Sequence, residues 1–201
     1  MLPKKELIIV FVRNPELGKV KTRLALAIGK KKALDIYKGL LIHTHNVLTN
    51  CNCDCAVFFN EEIDHNGLWK AKGFKKFIQK GDTLGEKMNN AFKKGFEIGY
   101  QKIIIIGSDL PDLNSDLIKN AFFKLTPNDY VIGPSEDGGY YLLGMKKLNN
   151  ALFKNKKWST NSVFIDTLKD MKDCKIGLLP KLNDIDTFED LKKSKLYKKL
   201  W

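Results

Sequence analysis

Both arginines of the sequence lie in one short segment near the N-terminus. Of the 35 basic residues, Arg13 and Arg23 alone are arginine, and the segment 11–24 contains both. A guanidinium group binds phosphate oxygens through two parallel hydrogen bonds. The segment follows a predicted strand and opens a predicted helix, whose N-terminus also favours anions. It therefore predicts a phosphate-binding site, the alternative being two incidental surface arginines.

A second group of candidates consists of carboxylates that follow a strongly apolar run. Asp109 and Asp112 come directly after four consecutive isoleucines, and Asp184 and Asp186 lie near the C-terminal end of the chain. Carboxylate oxygens favour Mg²⁺ or Mn²⁺, which could neutralise a diphosphate. For Asp112 the alternative is a turn or helix cap. Asp184 and Asp186 can bind one metal together only if their segment is extended, because an extended backbone turns both side chains to one side.

The run 137–141 is the third candidate, with the sequence Asp-Gly-Gly-Tyr-Tyr. Adjacent glycines let a backbone approach a ligand closely, and tyrosine rings stack on sugars or bases. A plain hairpin turn would have the same composition. The general base stays open among Asp112, Glu136 and Asp137, because geometry alone can choose between them.

Order and spacing exclude two enzyme classes. Gly18-Lys19 is followed by Val20, so the segment is no GxxxxGK[ST] loop. An α/β-hydrolase needs a histidine after its nucleophilic serine, whereas the last histidine of this chain is His65. The candidates therefore indicate phosphate chemistry outside these two classes.

Seven apolar runs, separated by longer helical patterns, predict a parallel sheet built from βαβ units. The run at 103–106 has no polar alternation, which indicates a central strand buried on both faces. Ligands of such sheets bind beyond the carboxyl ends of the central strands. The predicted strands are Leu7–Val12, Cys53–Phe59, Lys75–Gln79, Lys102–Ile106, Tyr130–Gly133, Tyr140–Leu143 and Lys175–Leu179.

The helical patterns lie between these strands, and polar residues mark their starts. A surface helix or tail is predicted for the lysine-rich end, 192–201. The predicted helices are 21–48 with a break at Gly29, 84–99, 115–125 capped by Ser115, one capped by Ser159 or Thr160 that ends near Lys172, and a short one capped by Thr187.

Length and composition indicate one globular domain over residues 1–201. The chain is 43% hydrophobic, which is enough for a sizeable core. Its net charge of +12 comes almost entirely from lysine. Neither interleaved aromatics nor a nucleic-acid reader motif accompanies this charge, so we expect no specific nucleic-acid partner.

The longest apolar runs have the length of strands. A membrane-spanning helix needs about 18 or more apolar residues, and the chain start lacks the extended apolar region of a secretory signal. We therefore expect no membrane span and a cytoplasmic location. Cys51, Cys53 and Cys55 are predicted to be reduced thiols, the alternative being a metal or disulfide role.

Short motifs occur in a fixed order over nearly the whole chain. They are Phe11–Pro15, Gly18–Leu24, Gln79–Asp82 with Leu84–Met88, Gly107–Leu113, Gly133-Pro134 with Asp137–Gly144, Trp158–Thr160, and Asp184–Thr187 with Glu189–Leu191. Together they resemble a family of small bacterial and archaeal transferases with the GT-A, or nucleotide-diphospho-sugar transferase, fold, described as glycosyltransferases associated with radical-SAM or selenodomain proteins. The chain is also similar to 2-phospholactate and molybdenum-cofactor guanylyltransferases.

The resemblance implies a single-domain, three-layer α/β/α fold with a mixed, mostly parallel sheet and the nucleotide at its N-terminal half. It also implies Mg²⁺ or Mn²⁺ as cofactor. The implied nucleotide and phosphate ligands are Arg13, Lys21, Arg23 and Gly85, and the implied metal ligands are Asp109 with Asp186 or Asp184. The implied catalytic residues are Asp109 and Asp137, and the implied sugar or acceptor contacts are Gly138, Gly139, Tyr140 and Trp158.

Three functions follow as hypotheses. The first is metal-dependent transfer of a sugar from a nucleoside diphosphate sugar to a small-molecule acceptor, with cations stabilising the leaving diphosphate. The second is nucleotidyl transfer from a nucleoside triphosphate to a phosphorylated small molecule, with release of pyrophosphate. The third is a non-catalytic nucleotide-binding module.

Overall fold

Apolar strands buried on both faces build a seven-stranded sheet. In the central strand, Ile104 and Ile106 contact the core on one face, while Ile103 and Ile105 contact the core on the other. The computed structural model describes residues 4–70 and 73–197. The strands are β1 (Lys4–Val12), β2 (Asp54–Phe59), β3 (Phe74–Ile78), β4 (Tyr100–Ile106), β5 (Tyr130–Pro134), β6 (Tyr140–Met145) and β7 (Ile176–Leu178).

The strand order is β3-β2-β1-β4-β6-β5-β7. Strands β1 to β4 are mutually parallel, and β6 runs antiparallel to both of its neighbours, β4 and β5. Because β1 and β4 are adjacent and parallel, the loops that follow them leave the same edge of the sheet side by side. Both of these loops carry candidate residues.

Helices cover both faces of this sheet, which confirms the predicted three-layer α/β/α fold. Helices α2 and α4 pack on one face, and α3 and α5 pack on the other. A smaller core holds α1 and α6 against α2. The helices are α1 (Thr22–Ile28), α2 (Lys30–Thr49), α3 (Leu84–Glu97), α4 (Ser115–Leu125), α5 (Val163–Asp170) and α6 (Phe188–Lys193).

Helix α4 has the predicted bounds 115–125, but the predicted capping residues of α4 and α5 are wrong. The side chain that caps α4 is Asn114, whose Oδ1 accepts from the Leu117 amide at 2.8 Å, so Ser115 is already helical. Helix α5 begins at Val163, and neither Ser159 nor Thr160 caps it. Instead, the amide of Phe164 donates to the Gly138 carbonyl at 2.9 Å, which fixes the start of α5 against a loop.

Other predicted boundaries are confirmed. The helical pattern does break at Gly29, where φ is +85°, and Thr187 caps α6 through a reciprocal pair of bonds with Asp190. The predicted C-terminal segment 192–201 is described as far as residue 197, and 198–201 lie outside the described residues. None of the helices in the described ranges has the length and hydropathy that crossing a membrane requires.

Candidate functional site

Two connected clefts open where β1 and β4 end. The first, which we call the basic lobe, has a volume of about 650 Å³, and the second, the acidic lobe, has about 400 Å³. They meet at a junction formed by Phe11, Arg13, Arg23, Leu84, Gly107, Asp109, Ser159 and Asp186. The basic lobe is further lined by Val12, Val20, Lys21, Thr22, Tyr37, Asn60, Gln79, Lys87 and Ser108. The acidic lobe is further lined by Met88, Ile105, Ile106, Ser135, Asp137, Gly139, Tyr140, Tyr141, Trp158, Thr160, Asn161, Val163 and Asp184.

Lys21, which lines the basic lobe, is the most buried charged group beside the junction. Its side chain is 5% exposed, and its ammonium lies 2.9 Å from Asp109 Oδ2 and 3.4 Å from Asp186 Oδ1. The residue stands before α1 in the left-handed conformation, with φ +47°. A side chain rarely adopts this backbone without compensation. Here the compensation is a charged contact with two carboxylates from distant parts of the chain.

Backbone contacts bring these carboxylates together. The Ile185 amide donates to the Asp109 carbonyl at 3.1 Å, and the fully buried Ile185 side chain packs between α1, α2 and α6. Asp184 and Asp186 flank this anchor, and both line the acidic lobe. Both side chains of this pair therefore face the same cleft.

Charge pairing at the junction changes the ionisation of its groups. Burial disfavours the charge on Asp109, but the Lys21 ammonium outweighs it and lowers the pKa of the carboxyl. Burial likewise opposes the Lys21 charge, but attraction by Asp109 and Asp186 outweighs it and raises the pKa of the amine. Burial, followed by repulsion from Asp109 and Asp137, raises the pKa of Asp184 to about 7. Lys21 and Asp109 thus stabilise each other's charge, whereas the charge on Asp184 is disfavoured.

The two arginines differ in their pairing. The Arg23 guanidinium donates to Asp186 Oδ2. Arg13 forms no ion pair with any residue in the described part of the chain, and it lines both lobes. Its guanidinium is therefore available to an anionic ligand.

Tyr37 joins the loop after β1 to the loop after β4, and sequence reasoning missed it. Its hydroxyl accepts from the Arg13 amide at 2.8 Å and lies 3.2 Å from the Arg13 carbonyl and 3.3 Å from Ser108 Oγ. Burial raises the pKa of this phenol, so it stays protonated. In the helical pattern of α2 it is indistinguishable from an ordinary core aromatic. The signal that could have found it is a polar hydroxyl on a core face, next to two polar loops.

Side-chain amides hold the rest of the basic lobe. Gln79 Nε2 donates to the carbonyls of Val12 and Phe58 at 3.2 and 2.9 Å, which ties the ends of β1 and β2 to β3. The Asn60 side chain does the same for the loop after β1, since its Oδ1 accepts from the backbone amide of Asn14 at 2.7 Å. Satisfied backbone groups make this wall rigid before any ligand binds.

The shape of the acidic lobe depends on the glycine loop, which is the run 137–141 identified as a candidate from the sequence. Asp137 Oδ1 accepts from the Gly139 amide at 2.9 Å and from the Ser135 hydroxyl. Gly138 has φ +89°, and a Cβ there would lie 2.3 Å from the Asn161 carbonyl oxygen. No other residue type fits this position without moving the 159–163 segment. The run is thus more than a plain hairpin turn.

Trp158 and Tyr140 line the acidic lobe as expected, but Gly85 has a different place. A Cβ on Gly85 would lie 2.6 Å from the Phe153 carbonyl and 2.7 Å from the Trp158 ring. The structure therefore places this glycine beneath the indole, where its small size lets the ring pack against α3. Gly85 itself lines neither lobe.

One of the three candidate bases faces the clefts. Asp112 pairs with Lys195 at 3.3 Å, and Glu136 pairs with Lys193 at 3.2 Å. Neither of these two residues lines either lobe, whereas Asp137 does.

The carboxylates that could hold a divalent cation are Asp109 and Asp186. Among the described residues, no group of three His, Cys, Asp or Glu side chains is arranged to hold a metal by itself. Mg²⁺ is usually held by one or two carboxylates together with substrate phosphates, so a cage made by protein alone is not required. Asp109 and Asp186 face a common cation, Lys21, which shows that their oxygens converge.

The cysteines lie away from this site. Cys51, Cys53 and Cys55 are free thiols near the start of β2, at the opposite end of that strand from the clefts, and Cys174 is also free.

Comparison with known proteins agrees with this architecture. A crystal structure from Desulfovibrio desulfuricans G20, provisionally described as a nucleotide-diphospho-sugar transferase, is 30% identical, with 97% of this chain and 93% of that chain covered and a TM-score of 0.85. The 2-phospho-L-lactate guanylyltransferase of Methanocaldococcus vulcanius is 28% identical over 145 residues, which are 70% of this chain. The match spans 62% of that guanylyltransferase's length.

More distant structures share the fold alone. The 4-diphosphocytidyl-2C-methyl-D-erythritol synthase of Anaerococcus prevotii has a TM-score of 0.64 at 13% identity, with 98% of this chain and 96% of that chain covered.

Residues 43–160, more than half of the chain, match the family described as "Uncharacterized protein conserved in bacteria (DUF2064)". This chain, with the fold of nucleotide-diphospho-sugar transferases, is a member of the DUF2064 family.

Proposed function

We propose that this protein is a nucleotidyltransferase, which transfers a nucleoside monophosphate to a small-molecule acceptor and releases pyrophosphate. The observation that carries the proposal is the junction, where a buried Lys21 bridges Asp109 and Asp186 beside an unpaired Arg13. The similarity to a guanylyltransferase supports this function ahead of sugar transfer. We also propose that the protein is located in the cytoplasm, where nucleotides are available.

In this mechanism the triphosphate lies in the basic lobe and the acceptor in the acidic lobe. An acceptor oxygen forms a bond to the α-phosphorus, and the bond from that phosphorus to the bridging oxygen breaks. The electron pair leaves with pyrophosphate, whose charge is met by Arg13, Lys21, Arg23 and Lys87. The attacking group is a phosphate oxygen of the acceptor, so no proton has to be removed.

A divalent cation fits this scheme at the junction. Asp109 and Asp186 would hold Mg²⁺ or Mn²⁺ together with phosphate oxygens, with Asp184 as a further carboxylate beside them. The ion would supply neutralisation of the leaving group's charge. Lys21, freed from part of its pairing, would then contact the phosphates.

Sugar transfer is the second candidate, and the similarity to the Desulfovibrio desulfuricans protein favours it. Here the donor is a nucleoside diphosphate sugar. The acceptor oxygen bonds to the anomeric carbon, and the bond from that carbon to the diphosphate breaks. The same cations stabilise the leaving nucleoside diphosphate.

Product identity tests the two reactions against each other. The full chain is incubated with each nucleoside triphosphate or nucleotide sugar, with and without Mn²⁺, together with a mixture of small hydroxylated and phosphorylated acceptors. Acceptor-dependent pyrophosphate release from a triphosphate is the expected result. Release of nucleoside diphosphate from a nucleotide sugar would support sugar transfer instead. Nucleotide binding without either product would indicate a non-catalytic binding module.

A further inference from the structure

The two lobes carry opposite charge. Apart from the shared junction, the charged residues that line the basic lobe are Lys21 and Lys87, with no carboxylate. The carboxyl side chains that line the acidic lobe beyond the junction are Asp137 and Asp184, and no lysine or arginine lines this part. Two parts of one substrate site therefore attract groups of opposite sign.

The carboxylates of the acidic lobe are not consumed by internal ion pairs. Asp137 uses Oδ1 for its two bonds to the glycine loop, and within the described residues no hydrogen bond is made to Oδ2. Neither Asp137 nor Asp184 forms an ion pair with a described residue. The nearby Lys156 is engaged elsewhere, since it pairs with Asp170.

Aromatic side chains form part of the same wall. Trp158 and Tyr140 both line the acidic lobe, and the bare backbone of Gly85 holds the indole against α3. Aromatic faces attract organic cations, and the attraction increases when water is excluded. Carboxylates combined with aromatic rings are the chemistry that recognises an ammonium group.

Beyond the junction, an anionic acceptor tail would meet no lysine or arginine among the residues that line the acidic lobe. The guanylyltransferase relative is named for 2-phospho-L-lactate, a compound with a carboxylate besides its phosphate. The phosphate of such a molecule could reach Arg13 and Arg23 at the junction, but its other anionic group would face Asp137. Like charges in a partly desolvated cleft repel strongly.

We propose that the acidic lobe binds a positively charged tail, an ammonium group, on the acceptor. The inference rests on the proposed function in one respect, since that function makes this lobe the acceptor site. The acceptor's attacking oxygen then lies at the junction, and its cationic end lies between Asp137 and Trp158. The same lobe disfavours acceptors that carry a carboxylate.

Two isosteric probes isolate the charge. Choline and 3,3-dimethylbutan-1-ol have the same shape, and one carries a quaternary nitrogen where the other carries carbon. Calorimetric titration of the full chain is expected to give at least fivefold tighter binding of choline. The variant Asp137→Asn keeps the Oδ1 acceptor and loses the charge, so it should reduce this preference below twofold. The control Asp116→Asn removes an exposed carboxylate of α4 and should leave the preference intact.

Several outcomes would overturn the inference. They are equal affinity for the two probes, tighter binding of 2-phospho-L-lactate than of choline, and no binding of choline at millimolar concentration. A preference for choline that survives in Asp137→Asn would also contradict it. The titration does not depend on turnover, so a failed product assay with a retained choline preference would refute the nucleotidyl transfer and leave this inference standing.

Discussion

The basic and acidic lobes are built in different ways from the same edge of the sheet. The wall of the basic lobe comes from strand ends that Tyr37 and Gln79 tie together through buried hydrogen bonds. The wall of the acidic lobe comes from loops whose shape depends on left-handed backbone at Gly138 and Ser159. Phosphate is a constant part of every nucleotide, whereas acceptors differ. A rigid wall suits the binding of phosphate, and loops, which tolerate sequence change, suit the binding of different acceptors.

The two lobes also meet in one cluster, which makes the comparison testable. Asp109 lies in the loop after β4 and contacts Lys21 of the basic lobe, and together with burial it raises the pKa of Asp184 in the acidic lobe. A change at this residue should therefore affect both lobes. Changes farther out should affect one.

The largest effect is expected from Asp109→Ala. Loss of this carboxylate removes the partner of Lys21 and the main proposed metal ligand, so turnover should fall on the order of 10²-fold to 10³-fold or more. Steady-state kinetics measures this loss, and circular dichroism confirms that the fold persists. Metal-dependent turnover at the wild-type rate would contradict the role of Asp109.

Lys21→Met should affect the basic lobe next most strongly. It removes the buried cation between two carboxylates, so nucleotide affinity and turnover should both decrease, the latter on the order of 10²-fold. Calorimetry with the preferred nucleotide and steady-state kinetics are the measurements. As a control, Lys119→Met removes an exposed lysine of α4 and should change neither quantity.

Gly138→Ala should affect the acidic lobe alone. Gly138 has a left-handed φ, and an added methyl group would lie 2.3 Å from the Asn161 carbonyl oxygen. The variant should therefore lose about 2 kcal/mol of unfolding free energy. Acceptor KM should rise while nucleotide affinity stays the same. Urea denaturation and kinetics test both statements. A fall in nucleotide affinity with unchanged acceptor KM would break the division between the lobes.

Tyr37→Phe should weaken the basic lobe through the backbone. The Arg13 amide loses its buried acceptor, which costs about 1 to 2 kcal/mol of stability. Nucleotide affinity should decrease, and acceptor KM should not. Denaturation and calorimetry provide the measurements, and unchanged stability with unchanged affinity would show that the Tyr37 hydroxyl does not hold the loop.

The smallest effect is expected from Arg23→Lys. Arg23 is 64% exposed and paired with Asp186, so loss of the planar guanidinium should weaken nucleotide binding only a few-fold. Equal affinity in calorimetry would show that the geometry of this guanidinium contributes nothing beyond its charge.

Much of the fold follows from apolar runs and helical spacing. The isoleucines at 103–106 identify the central strand, and Gly29 identifies the helix break, because both signals are local. The start of α5 was missed because tertiary contact between Gly138 and Phe164 decides it. This contact outweighs the propensity of Ser159 and Thr160 to cap a helix.

The candidate site was predictable where residue type carries the information. Arg13, Lys21, Arg23, Asp109 and Asp186 all line the basic lobe. Contacts between these residues could not be predicted from the sequence, since they join parts of the chain that lie far apart along it. The burial of Lys21, the hydroxyl of Tyr37 and the packing role of Gly85 are of this kind.

Nucleotide affinity in two variants tests the central claim most directly. Arg13→Ala removes the unpaired guanidinium at the edge of the basic lobe, and Asp137→Asn removes a charge from the acidic lobe while keeping its shape. Calorimetric titration with the preferred nucleoside triphosphate should show at least tenfold weaker binding for Arg13→Ala and wild-type or tighter binding for Asp137→Asn. Wild-type affinity in the first variant, or an equal loss in both, would contradict the assignment of phosphates to the basic lobe.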